Sequence, residues 1–409
     1  MRLAIRPALS ALLRSRAGAL LVAVQVAIAL AVLVNAVYIV HQRINKMSRP
    51  TGVDEANLFQ ITGSGFTKRF NPTTALHEDL AWLRSLPGVV DAAPSVTVPT
   101  GWSNTSWPLY NEPTEKGAPN FVSMFMVDEH GLDTLGAHLV AGRNFRADEI
   151  LPVADGLLQM SNFVPQVIVS ETVAKMLFPH GSALGKTVYD QQHHAARIIG
   201  IMNDVMAPAW FARLMPTPYQ TMLVPLPVTF HGTGILVRTA PGQRDRLMRI
   251  VEQHFSTSNP DRVLTWVKSI EFFKGAMYRE DRNMAVFLVT ITVLVTLLTC
   301  VSIFGLATFN VSTRTKQIGT RRAVGARRSD ILTYFMVENG LITSGGILAG
   351  CVLALAVGYW ISKHLQQDRL DLYYLVGGVF ALWVIGQLAA WQPARRACRV
   401  PPSVATRTV

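Results

Sequence analysis

The chain has 409 residues, 50% of them hydrophobic and only 16% charged, which is too apolar and too poor in charge for an ordinary soluble domain. A net charge of +12 would suit nucleic acid or a membrane surface. No basic stripe interleaved with aromatics occurs, so no nucleic-acid partner is expected and the lipid bilayer is.

The cations are explained by their positions. Arg2, Arg6, Arg14 and Arg16, then Arg314, Lys316, Arg321, Arg322, Arg327 and Arg328, then Arg395, Arg396, Arg399 and Arg407 flank long apolar runs. They outnumber the whole excess and read as topology determinants. Of the three cysteines, Cys300 and Cys351 fall in apolar runs and Cys398 in the basic tail. The long polar middle has none and is expected to stand on core packing rather than disulfides.

Residues 1–16 form a basic N-terminal segment. Ala17–Val40 follows as an apolar run broken only by Gln25 and Asn35. A bilayer core needs about 20 apolar residues in a helix, so this run predicts the first span. A cleaved signal peptide is the alternative, but its apolar region usually stops at about 7–15 residues.

Residues 41–283 predict one external insertion of mixed α and β pattern. Strands are expected at Asn57–Thr62, Val89–Val98, Val167–Val169, Arg197–Asp204, Tyr219–Leu226, Ile235–Arg238 and Val263–Val267. Helices are expected at Thr73–Leu86, with Leu76, Leu80 and Leu83 inward, and at Glu171–Phe178. Another is expected at Gly242–Phe255, with Leu247, Ile250 and Val251 inward. Pro99–Pro119 is the expected lobe boundary or mobile loop. Ser269–Arg282 runs without proline into the second span and predicts a continuous stalk.

The second, third and fourth spans are expected at Met284–Phe309, Ile331–Ile361 and Leu372–Trp391. Segment 310–330 between the second and third is very basic and belongs on the cytoplasmic side. The turn at 362–371 is nearly neutral and external, and the tail 392–409 is basic and internal. Both termini are therefore expected inside. Tyr38, Tyr359, Trp360, Tyr373 and Tyr374 sit at outer ends and Trp391 at an inner end, as interfacial belts require. Gly346, Gly350, Ala354 and Gly358 repeat every fourth residue and line one face of the third span. That face packs either inside the chain or between subunits. Glu338 in the same span is expected to face protein or lie near the inner headgroups, with no second ionisable residue at its depth. The fold class is thus a four-span α-helical membrane protein with an α+β domain, in two lobes, inserted between helices 1 and 2.

No catalytic constellation or metal site stands out. Gly181–Thr187, GSALGKT, has three residues between its glycines where a phosphate loop needs four, and predicts a turn. His193 and His194 lack further ligands at metal spacing. The chain is expected to be non-enzymatic and to bind no cofactor of its own.

The stretch Gln317–Ile331, QIGTRRAVGARRSDI, resembles the signature of FtsX-type permeases, the membrane halves of MacB-like ATP-binding-cassette (ABC) transporters. Ile168–Thr187, IVSETVAKMLFPHGSALGKT, and Ile198–Val205, IIGIMNDV, resemble the MacB-like periplasmic core domain. So do Leu135–Phe145, LGAHLVAGRNF, and Leu83–Val89, LRSLPGV. The tail Leu388–Val404 resembles the family's last-helix exit, making 284–409 an FtsX-like permease domain. The resemblance implies a dimer of permeases, two copies or one with a paralogue, that binds two ABC ATPase subunits at the inner face of a bacterial inner membrane. ATP and Mg would sit in those subunits, and a periplasmic adaptor and outer-membrane channel would complete the assembly. It implies mechanotransmission, with drug or peptide efflux as the leading task. Lipoprotein release or an envelope sensor of FtsX type are the alternatives. MacB carries a fused ATPase domain ahead of its first span, whereas only sixteen residues precede it here, so a separate ATPase polypeptide is expected. Carried over by position, Gln317, Ile318, Gly319, Arg321, Arg322, Ala323, Gly325, Ala326, Arg328 and Asp330 form the ATPase-coupling segment. The family often has Glu where Gln317 stands, which puts one acid–base contact in doubt.

Overall fold

The computed structural model describes residues 16–103, 105–113, 119–155, 164–229, 232–365 and 370–401. Arg2, Arg6, Arg14, Arg407 and part of the turn expected at 362–371 lie outside them. The chain forms two compact units: Met1–Ser48 with Glu280–Val409, and Arg49–Arg279.

The first long helix, α1, is Arg16–Met47. The second unit runs β1 (Leu58–Gly65), α2 (Pro72–Ser85), β2 (Val89–Pro94), β3 (Ser106–Leu109), β4 (Asn120–Met126), α3 (Gly131–Leu135), β5 (Leu139–Gly142) and β6 (Ala154–Asp155). It continues with β7 (Gln166–Ser170), α4 (Glu171–Leu177), β8 (Thr187–Tyr189), β9 (Ala195–Met202), α5 (Ala209–Leu214), β10 (Thr221–Val224) and β11 (Val228–Thr229). It ends with β12 (Gly232–Thr239), α6 (Arg244–Thr257), β13 (Arg262–Ser269) and α7 (Ile270–Met277).

Two main sheets carry this unit. The smaller is antiparallel, in the order β13-β1-β12-β2. Successive strand residues point to opposite faces. Phe59, Ile61, Ile235 and Val237 therefore pack with Leu76, Leu80 and Leu83 of α2 and with Leu247, Val251 and Phe255 of α6. Leu58 and Leu236 turn to the other face, where Ile270 and Phe273 of α7 join them. Asn71 starts α2 by accepting from the Thr74 amide at 3.0 Å, and Pro72 sits at the first helical position, where its missing N–H does no harm. The buried stripe of α6 follows the i, i+4, i+8 positions Leu247, Val251 and Phe255, which leaves Ile250 exposed rather than inward.

The larger sheet runs β3-β4-β10-β7-β9-β5, with β8 also pairing β9. Gln166–Ser170, α4 and Ala195–Met202 make a parallel crossover. The Ser170 hydroxyl caps α4 through the Val173 amide at 3.3 Å. Gly181–Thr187 ends in β8 after a turn at Leu184 and Gly185.

Three expectations are corrected. The Pro99–Pro119 stretch contains β3 and is not all loop, although residues 104 and 114–118 lie outside the described set. Pro108 is tolerated there because β3 is an edge strand paired only with β4. The strand expected at Val89–Val98 stops at Pro94. The expected stalk is not one helix: Ser269 caps α7 through the Phe272 amide at 3.2 Å, and the helix breaks at Tyr278. There the Met277 carbonyl accepts from the Arg213 guanidinium.

The helical unit adds α8 (Arg279–Thr313), α9 (Thr315–Ala323), α10 (Arg328–Leu365) and α11 (Leu372–Ala397). Four helices are long and apolar enough to cross a membrane: Gly18–Met47, Arg279–Thr313, Arg328–His364 and Leu372–Ala397. The small-residue face of α10 is covered by α1. A Cβ on Gly346 would stand 2.6 Å from the Ala23 carbonyl oxygen, and one on Gly350 would stand 3.0 Å from Ala27 Cα. Ala354 is fully buried, and its carbonyl accepts from Asn35 Nδ2 at 3.2 Å. A Cβ on Gly358 would lie 3.2 Å from Asn35 Oδ1. Asn35 thus hydrogen-bonds across two close-packed helices.

Candidate functional site

The basic segment forms a hairpin-like turn from α8 through α9 to α10. Arg314, with φ −106° and ψ 13°, separates α8 from α9. At the far end Gly325 takes φ +102°, a left-handed conformation that suits glycine. The Ala326 amide donates to the Arg321 carbonyl at 3.0 Å and the Gly325 amide to the Arg322 carbonyl at 3.2 Å. This pair of bonds is a Schellman closure of α9. Asp330 then accepts from the Arg327 amide at 2.9 Å, placing a carboxylate in the first turn of α10, where the helix dipole favours it.

The underside of the turn is apolar. Ile318 and Gly319 are buried, and Ile318 packs with Ile331, Phe335, Ala394, Ala397 and Cys398. The tail of α11 is therefore part of the scaffold. Arg322 Nη1 donates to the carbonyls of Val400 at 2.5 Å and Cys398 at 3.4 Å. Cys398 Sγ in turn donates to the Arg328 carbonyl at 3.2 Å.

The structure separates basic groups that the sequence treats alike. Arg314 Nη1 lies 3.0 and 2.9 Å from the two carboxylate oxygens of Glu338 and 3.4 Å from the Tyr334 hydroxyl. Arg321 lies over the Tyr334 ring, 4.8 Å from its centroid. Arg322 binds the tail. Lys316, Arg327 and Arg328 are exposed and make no ion pair among the described residues. Gln317, Ala323 and Gly325 are exposed and Ala326 is half-buried. Val324, at the apex, is 84% exposed. Val324 is thus an apolar tip flanked by guanidinium groups that form no ion pair among the described residues, above an apolar base.

Glu338 is not alone at its depth, which corrects the expectation. It is 3% exposed and its partner is Arg314, from the opposite side of the turn. Buried Asn339 donates to the Gly386 carbonyl at 3.1 Å, tying α10 to α11. A second ion pair went unforeseen. Asp281 of α8 is buried and pairs with Arg43 of α1, with Lys46 Nζ at 3.7 Å. The readable signal was a cation just after one apolar run and an acid just before the next.

Other noted groups have local roles. His194 Nδ1 lies 3.0 Å from Asp190 Oδ2 within its own loop. Arg143 grips Glu149 with two bonds of 2.7 and 2.6 Å, and this contact pulls the carboxyl down to about 2. Among the described residues no cluster of three His, Cys, Asp or Glu side chains would hold a metal.

Residues 289–402, which include the whole turn and its α11 scaffold, match the FtsX-like permease C-terminal family. Residues 19–253, more than half of the chain, match the MacB-like periplasmic core domain. The chain belongs to the MacB-like family of FtsX-type permeases. The macrolide export ATP-binding/permease protein MacB of Escherichia coli K12 is 25% identical over 340 residues, covering 80% of this chain and 48% of that protein. The MacB protein of Shigella boydii serotype 4 matches to the same extent. The chain thus spans about half the length of the curated relatives it matches. Among solved structures, the periplasmic region of MacB from Actinobacillus actinomycetemcomitans aligns at 15% identity with a TM-score of 0.35, covering 57% of this chain and 97% of that one. The extracellular domain of the ABC-type transporter YknZ from Gram-positive bacteria aligns at 14% identity with a TM-score of 0.30, covering 51% and 100%.

Proposed function

We propose that this MacB-like permease is the non-catalytic membrane subunit of an ABC export system, with the turn at 310–330 as its docking point for an ATPase. The single observation that carries this reading is the apex: exposed Val324 beside left-handed Gly325, flanked by Arg327 and Arg328, which form no ion pair among the described residues, on a buried base. The apolar tip would enter a pocket on the ATPase, and the two arginines would meet carboxylates at its rim. Gln317 and Lys316 would line the approach. Ile318, Gly319, Arg321, Arg322, Ala326 and Asp330 would keep the turn rigid enough to transmit a push.

In this reading ATP and Mg belong to the ATPase, and its cycle moves the α+β domain rather than opening a wide pore. Positive-inside logic puts the turn and both termini in the cytoplasm of a bacterial inner membrane. The two-lobed domain between helices 1 and 2 then lies in the periplasm, where an adaptor and an outer-membrane channel would receive cargo such as drugs or peptides. A second permease copy or a paralogue would complete the dimer. Because α1 covers the small-residue face of α10, the partner would use another surface.

The test is co-purification of the full chain with its candidate ATPase. Val324→Asp combined with Arg327→Glu and Arg328→Glu is expected to abolish the complex while thermal unfolding stays unchanged. Unchanged complex formation and ATP turnover would refute the assignment. Arg322→Glu is a poorer probe, since it also frees the α11 tail.

A further inference from the structure

The short helix α5, Ala209–Leu214, is apolar on two sides. Its inner side packs in the usual way: Phe211 is 1% exposed and Ala212 is buried. Its outer side carries Trp210 and Leu214, four residues apart and so on one helix face. They are 60% and 58% exposed. Single exposed apolar residues are common and need no explanation. Here the pair is followed by half-buried Met215 and exposed Pro216. Arg213 is the one Lys, Arg, Asp or Glu between Val205 and Val237. Asp204, the carboxylate just before this stretch, is held by the Thr172 amide at 2.8 Å and hydroxyl at 2.7 Å. The outer face thus combines apolar area, an indole N–H and a cation, with no acid on the helix.

The helix is fixed at one end of its unit. The Ala209 amide donates to the Gly101 carbonyl at 2.9 Å, and Arg213 donates to the Met277 carbonyl. Just before the helix, the Met206 amide donates to the Thr51 carbonyl at 2.8 Å. Just after it, the Tyr219 hydroxyl donates to the Pro50 carbonyl at 2.9 Å. The unit runs Arg49–Arg279, so α5 is tied to both its first and its last residues. At those residues the chain passes into helices long and apolar enough to cross a membrane, since α1 ends at Met47 and α8 begins at Arg279. Along the helix axes, Val40 at the end of the first apolar run is about 10 Å from Met47, and Met284 is about 8 Å from Arg279. A headgroup layer about 5–8 Å deep covers each side of the hydrocarbon. The linkage therefore tethers this end of the unit within side-chain reach of that layer, the depth at which tryptophan is enriched.

We propose that α5 docks on the bilayer surface: Trp210 and Leu214 dip into the phospholipid headgroup layer on the side that carries the α+β unit, with exposed Arg49 and Arg213 beside the phosphates. An indole suits a surface that is apolar at one end and wet at the other. Docking steadies the unit where both linkers leave it. The proposal rests on α1 and α8 spanning the bilayer and not on the ATPase contact, so it stands or falls separately from docking at 310–330.

The test uses the full chain in vesicles of phosphatidylcholine and phosphatidylglycerol whose acyl chains are dibrominated either near the headgroup or near the bilayer centre. The Trp210 signal is the difference in emission between wild type and Trp210→Phe. That signal is expected to fall at least about twofold with shallow bromines and less with deep ones. Iodide present on both sides of the membrane should quench it poorly. Leu214→Glu, at an exposed site, is expected to cut the shallow quenching about twofold or more and to raise iodide quenching, with thermal unfolding unchanged. Iodide quenching without bromine quenching would overturn the proposal by placing Trp210 in water. Resistance to both quenchers would overturn it in favour of a protein contact, such as a second copy of this chain. Bromine quenching that Leu214→Glu leaves unchanged would also overturn it. A spin label on Leu214→Cys, with Cys300, Cys351 and Cys398 replaced, reads the same depth if Trp210→Phe fails to fold. Faster relaxation there with an aqueous nickel complex than with oxygen would equally refute lipid contact.

Discussion

Replacing Glu338 or Arg314 tests whether the turn is anchored as described. Arg314 Nη1 lies 2.9 Å from Glu338 Oε2, with the two side chains 17% and 4% exposed. At that distance the attraction is about 6 kcal/mol for an effective dielectric of ~20. Desolvation of both groups offsets much of it. Removing one partner of a buried pair usually costs about 3–5 kcal/mol, because the other charge is stranded. Arg314 keeps some contact with water and with the Tyr334 hydroxyl, so the lower end applies. A cycle of Glu338→Gln, Arg314→Met and the double variant should therefore give a coupling of about 2–3 kcal/mol. The assay is reversible unfolding in mixed micelles, followed by tryptophan fluorescence. The double variant is expected to lose less stability than the sum of the two single losses. Raising salt should change the coupling little, since the pair is screened from solvent. A coupling under about 0.5 kcal/mol would mean that the two groups do not act on each other.

Four further outcomes follow from the same geometry. Gly346→Val should destabilise the helical unit by about 1–3 kcal/mol in that titration, because α1 backbone fills the space, and wild-type stability would refute the packing. Gly345→Ala on the same helix has nothing within 4 Å and should be neutral or gain up to about 1 kcal/mol. Asp281→Asn should cost about 1–3 kcal/mol by stranding Arg43 and Lys46, and an unchanged unfolding midpoint would refute that role. The Glu149 carboxyl is depressed to about 2, below its unfolded value, so its contribution exists above about pH 4.5 and fades as pH falls toward 2. The thermal-stability gap between wild type and Glu149→Gln should thus be present at about pH 6, shrink below about pH 4.5 and close only near pH 2, and a gap undiminished on acidification would count against the ion pair.

Periodicity made the long elements readable. The apolar runs, the α2 stripe Leu76, Leu80 and Leu83, and strands such as Gln166–Ser170 each follow from local pattern. Short edge strands did not. Ser106–Leu109 is hidden among prolines, and Leu139–Gly142 is held only by pairing with β9. The break at Tyr278 lies beside a contact from Arg213 to the Met277 carbonyl, far off in sequence. At the turn, the glycines and arginines were visible, but their division into bound and free was not. That division rests on contacts made by Glu338, Tyr334 and Val400, which lie outside the motif.

This division changes what a charge reversal means. If the cations served only topology or anionic lipid, then Arg321, Arg322, Arg327 and Arg328 would contribute alike, each near 1 kcal/mol at an anionic surface. The contacts predict a split instead. Reversing Arg322 breaks its bond to the Val400 carbonyl and loosens the base, so stability falls along with any coupling. Reversing Arg327 and Arg328 leaves every observed side-chain contact intact and should leave stability unchanged. Removing Val324, which is uncharged and 84% exposed, should leave both stability and lipid attraction unchanged. Val324→Asp is therefore the variant on which the two views disagree most. Under the docking view it disrupts ATPase association by placing a carboxylate in an apolar groove. Retained association in that variant, with loss in Arg327→Glu, would assign the turn to electrostatics alone.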